Sequence, residues 1–79
     1  MSVMPFHRST AGTVGAASGN PIAVSGIAVG DVLLSIVKWK VGERAVPVAT
    51  ATFVVAAGEI ESASVSTNGY YLEVSWTHG

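Results

Sequence analysis

The sequence predicts an all-β chain: a small antiparallel β-sandwich or barrel of about six short strands, preceded by an extended N-terminal arm. Three observations carry this. No stretch of ten residues holds the 3.6-residue apolar period of an amphipathic helix. Turn-forming residues, Gly above all, cut the chain into short segments. The last segment alternates cleanly, with Tyr70, Leu72, Val74 and Trp76 on one face and Tyr71, Glu73, Ser75 and Thr77 on the other. That period of two, with aromatics and Val, is the pattern of a half-buried antiparallel strand.

Taken in order, Met1 to Arg8 mixes apolar residues with Pro5 and reads as a short strand or an extended arm. Ser9 to Asn20 is rich in Gly, Ala, Ser and Thr, with glycines at 12, 15 and 19. It offers nothing large to anchor a core, so a loop or flexible arm is expected. Residues 1–20 are therefore read as the arm and 21–79 as the β-domain. Pro21 to Val24 is a short strand ending at the turn Ser25-Gly26, and Ile27 to Val29 leads to a second turn at Gly30-Asp31. Val32 to Trp39 is the strongest strand, nearly continuous in apolar residues, as expected where both faces are covered. Val41 to Arg44 is an exposed turn. Val46 to Ala56 is a further β-rich run, with Pro47 near its start, where a missing donor costs least. Ala57 to Glu59 turns the chain, and Ile60 to Ser66 reads as a weak edge strand. Asn68-Gly69 is a strong two-residue hairpin signal ahead of the last strand.

Seventy-nine residues make one domain at most. A chain this short buries only about 60% of the surface its unfolded form exposes. Disulfides are excluded, because there is no cysteine. His7 and His78 stand near opposite ends, so spacing places no metal cluster on them. Apolar residues make up 49% of the chain and charged residues only 11%, against about a quarter in ordinary soluble domains. Partner subunits are therefore expected to cover part of the apolar surface. A net charge of -1 gives no footprint for nucleic acid or an anionic membrane. The N-terminus lacks the basic and apolar regions of a signal peptide. The most apolar stretch, Pro21 to Val37, is broken by Ser25, Gly26, Gly30 and Asp31 and does not suit a bilayer span.

Chemistry-bearing patterns are few. Glu59 and Glu61 would share one face of a strand about 7 Å apart, near the separation of paired glycosidase carboxylates. Two solvated carboxylates are the plainer reading, since a walled cleft is hard to build in so small a domain. No nucleophile motif is present, and a Ser-His-Asp triad would rest on His7 or His78 at a chain end. Gly12, Gly15 and Gly19 do not form a phosphate-cradling G-x-G-x-x-G. Lys38-Trp39-Lys40 is the one basic–aromatic cluster, of a kind that can bind single strands, yet a core aromatic between solvated lysines is favoured. Trp76 closes the apolar face of its strand and reads as core. No catalytic residue, cofactor or metal is expected, and the chain reads as a non-enzyme.

Gly26-Ile27-Ala28-Val29-Gly30-Asp31-Val32-Leu33-Leu34-Ser35-Ile36-Val37 resembles the "G-I-x-x-G-D-x-L-x-x-V" opening of a group of small tailed-phage virion proteins. Ala51 to Ile60 is similar to their "F-x-I-x-x-x-x-x-I" strand and turn. Thr67-Asn68-Gly69-Tyr70-Tyr71-Leu72-Glu73-Val74-Ser75-Trp76 is similar to their "T-x-G-D-x-L-L-V-x-W" end. The likeness covers about residues 26 to 77, and departs from the family at Tyr70 and over Lys40 to Arg44. The group resembles bacteriophage capsid decoration, or cement, proteins. The resemblance implies a homotrimer on the outer head surface that binds the phage major capsid protein and reinforces the shell, made in the host cytoplasm and localised to the virion. Val3, Met4, Phe6, His7 and Arg8 are the residues expected to touch the capsid or a sister subunit. Two alternatives stand beside it: another virion part, such as a head-fibre base or tail protein, or a small cytosolic ligand- or sugar-binding module. An exposed aromatic platform would favour the binding module, and a threefold apolar interface would favour decoration.

Overall fold

The structure, a computed structural model, describes residues 8–78. It is all-β: β1 (Ser9–Val14), β2 (Ile22–Ala23), β3 (Val32–Trp39), β4 (Val46–Val48), β5 (Phe53–Ala56), β6 (Glu59–Ser62) and β7 (Tyr71–Thr77). One antiparallel sheet runs β1-β7-β3-β4 and the other β2-β6-β5. The two pack face to face as an open sandwich rather than a closed barrel.

The alternation in β7 organises the interior. Leu72, Val74 and Trp76 are all buried. Their partners across the sheet, Ala11 and Thr13 on β1 and Leu33 and Ile36 on β3, share that inner face. The smaller sheet answers with Ile22, Phe53 and Ile60, and Val24 and Ile27 fill in from the connections. A fully buried aliphatic side chain contributes about 1.5–3 kcal/mol, so this interior holds most of the fold's stability.

Several expectations need correction. Ser9–Val14 is a strand, not a loop: the free edge of β7 supplies hydrogen-bonding partners, and the small inward residues Ala11 and Thr13 fit over the core. The chain stays docked beyond it. Gly15 N–H donates to the Tyr70 carbonyl (2.8 Å) and Thr67 N–H to the Ala16 carbonyl (2.9 Å). The Thr67 hydroxyl accepts from Ala16 N–H (3.1 Å). A Cβ on Gly15 would overlap Thr67, so this close approach requires glycine.

β3 is covered on one face only. An extra residue, Leu34, bulges between Leu33 and Ser35 and shifts the parity of the strand. Leu33 and Ile36, three apart, both turn inward, and Trp39 turns out. Val46 to Ala56 is two strands in different sheets, divided by a turn in which Phe53 N–H donates to the Thr50 carbonyl (3.0 Å). β6 is the centre of its sheet, not an edge, because Ile60 is wholly buried between Ile22 and Val55. Asn68-Gly69 does make a turn, with Gly69 at φ 89° and Tyr70 N–H donating to the Thr67 carbonyl. It joins strands of different sheets rather than a hairpin. Asn68 keeps negative φ, so the signs match a type II turn and not the hairpin type I′.

Candidate functional site

The residues singled out in the sequence scatter over the molecule. Glu59 and Glu61 do share a face, the outer side of the smaller sheet, in a shallow depression with Val54, Ala56 and Ala63. Among the described residues no group of three or more His, Asp or Glu is placed to hold a metal ion. His78 meets Asp31 through Nδ1–Oδ1 at 2.8 Å. The other Asp31 oxygen accepts from Ala28 N–H (2.9 Å). The His78 contact first, and the Ala28 amide second, hold the Asp31 carboxyl below the usual carboxylate range. Gly12 lies in β1, and Gly15 and Gly19 lie in the connection after it, with no helix to complete a phosphate site. Val3, Met4, Phe6 and His7 fall outside the described residues, and Arg8 is exposed just ahead of β1.

The basic–aromatic cluster is divided by the strand that carries it. Lys38 and Lys40 project to the same side, and each ammonium lies 4.7 Å from the centroid of the Tyr70 ring. Lys40 also pairs with Glu43 at 3.6 Å. An exposed cation–π contact is worth about 0.5–1 kcal/mol, so these lysines clasp a ring at the sheet's end. Trp39 projects the opposite way and is 41% exposed. The reading of Trp39 as core is therefore corrected, and the parity shift at Leu34 is the reason.

Trp39 belongs to the outer face of the four-stranded sheet. Strand register lays this face out in rows. At one end Val14, Tyr71 and Trp39 stand side by side on β1, β7 and β3. The Trp39 and Tyr71 rings have centroids 4.9 Å apart and planes tilted by 33°. Tyr71 is 47% exposed and Val14 more so. The next row is Gly12, Glu73 and Val37, and the one after is Thr10, Ser75 and Ser35. In that row the Thr10 and Ser75 hydroxyls lie 3.3 Å apart. The missing side chain at Gly12 opens a depression of about 440 Å³ between Val14, Trp39, Tyr71 and Glu73, a volume in the range of small-molecule sites. The face grades from apolar, through a carboxylate, to hydroxyl.

Sequence reasoning placed Tyr71 and Glu73 together on the face away from the core, which the structure bears out. It missed Gly12 and Val14, because the strand holding them carries no large inward residue to announce it. It missed Trp39 because the nearly continuous apolar run of β3 implies cover on both faces, and the outer face is open.

Compared with protein-family models, with curated proteins and with solved structures, the chain matches none.

Proposed function

We propose that this chain is a non-enzymatic structural protein of a tailed-phage virion, a decoration protein that joins the outer head surface as a homotrimer and reinforces it. The observation that carries the reading is the apolar surface left uncovered on separate sides of the molecule. Val29 is 74% exposed, Val41 88% and Val54 69%. Val29 and Val41 stand beyond opposite ends of β3, and Val54 faces out from the smaller sheet. With so few charges in the chain, these residues suit a body held between neighbours better than one alone in water. The resemblance over about residues 26 to 77 supplies the setting. The major capsid protein is the proposed partner, with Val3, Met4, Phe6, His7 and Arg8 as the fastening segment.

The test is co-sedimentation of the purified chain with bare capsids, beside a truncation lacking residues 2–7. Such a truncation removes nothing from β1, which begins at Ser9. The expected result is that the full chain sediments with the capsids, and that the truncation binds at least tenfold more weakly, about 1.4 kcal/mol. A full chain that stays in the supernatant would overturn the function. Equal binding by the two would remove the fastening segment from it.

A further inference from the structure

We propose that the outer face of the four-stranded sheet is a carbohydrate-binding site for a neutral oligosaccharide. One pyranose ring would lie on the Tyr71–Trp39 strip, with its hydroxyls turned to Glu73. A pyranose has one face of C–H groups and a rim of hydroxyl donors. The rows of this sheet present the complement in that order: an aromatic strip, a carboxylate, then the exposed Thr10 hydroxyl, which rests on that of buried Ser75.

The geometry selects among ligands. With centroids 4.9 Å apart and planes tilted by only 33°, the two rings pack on each other and leave no gap for a ligand between them. A closed pair offers a ligand one outer ring face, which a flat sugar ring can cover, whereas a quaternary cation is held by aromatic groups set around it. The Glu73 carboxylate forms no ion pair with a described residue. It accepts hydroxyl donors and repels phosphate, and Lys38 and Lys40 project away from this face to Tyr70. Nucleic acid, which would also stack on the rings, is disfavoured on both counts. A second copy of the chain is disfavoured as well, since closing this face with apolar surface would bury an unpaired carboxylate. Gly12 completes the site by omission. A Cβ there meets nothing closer than the Leu72 carbonyl oxygen at 4.0 Å, so the position tolerates a side chain yet leaves the depression open.

The experiment titrates the full chain with maltohexaose, cellohexaose, N-acetylchitohexaose and, separately, choline, following tryptophan emission. Trp76 is buried and Trp39 is exposed, so a ligand on this face changes the emission through Trp39. The expected result is a saturable change with at least one of the three sugars and none with choline. Gly12→Val, which fills the depression, and Glu73→Gln are each expected to weaken binding at least tenfold with unchanged melting. Trp39→Ala, followed by calorimetry, is expected to abolish it. The proposal is overturned if none of the sugars saturates, if choline alone does, or if Gly12→Val and Trp39→Ala bind sugar as the parent does.

Discussion

Trp76 and Tyr71 are aromatic residues five apart on one strand, and the pleat gives them opposite surroundings. Trp76 is buried against Ile27 and the turn at Gly26, while Tyr71 shares its outer face with Trp39. Truncating Trp76 to Ala opens a cavity and is expected to cost about 3–5 kcal/mol. Tyr71→Ala is expected to cost under about 1 kcal/mol, as exposed sites do. Comparable losses in urea unfolding would mean that the outer face is covered after all. Trp76 also carries a buried indole N–H with no acceptor among the described residues. Leaving a buried donor unpaired costs about 1–3 kcal/mol, so Trp76→Phe sheds that penalty and should lose far less than Trp76→Ala. Asp31 is a carboxylate held below its ordinary range. Its folded-state value is lowered by His78 and by the Ala28 amide, so its contribution is present above the ordinary carboxylate value. It is lost as pH falls through the lowered one. Asp31→Asn is expected to lower Tm near neutrality. From about pH 5 to about pH 2 its Tm should fall less than the parent's. Parallel acid limbs in the two proteins would take Asp31 out of that role.

At the scale of elements, legibility followed how large the inward side chains are. β7 could be read residue by residue, because Leu72, Val74 and Trp76 alternate with polar or exposed residues. β1 could not, since Ala11 and Thr13 line the core without resembling core residues. Its place comes from the hydrogen-bonding edge of β7, a property of the assembled sheet. β3 was legible as a strand but not in its facing, because the bulge at Leu34 moves Trp39 outward. The turn at Asn68-Gly69 was legible as a turn, while the sheet that each flanking strand joins was not. The same distinction governs truncation. Removing residues 2–7 leaves β1 whole. Removing residues 2–12 takes most of β1, leaves β7 unpaired from Glu73 to Trp76 and uncovers Val74 and Trp76. The shorter truncation is expected to melt cooperatively like the parent, and the longer one to lose its cooperative transition in circular dichroism. A cooperative, native-like melt after removal of residues 2–12 would mean that β1 is dispensable.

At the scale of the whole molecule, the question is how many neighbours the exposed apolar residues imply. The chain exposes 4824 Å², close to the roughly 4,400 Å² of an ordinary folded monomer of its mass. Its uncovered valines thus belong to a closed fold, not to a loosened one. A twofold dimer uses one self-complementary patch, whereas a ring of three uses two different patches on every subunit. A subunit in a stable ring gives up about 800 Å² to each neighbour, which here amounts to a third of its surface. Val29 and Val41, separated by the length of β3, fall into two patches rather than one, and this favours the trimer. The expected mass by light scattering at micromolar concentration is that of three chains. In the proposed ring, Val29→Asp and Val41→Asp would place a charge on opposite sides of one subunit contact, so each alone is expected to release monomer. Mixing the two variants should not restore the ring, because every closed trimer would still contain a charged contact. A dimer dissociated by only one of the substitutions would replace the ring with a single self-complementary patch. A parent chain that is monomeric and fully folded would remove subunit association from the account of its apolar surface.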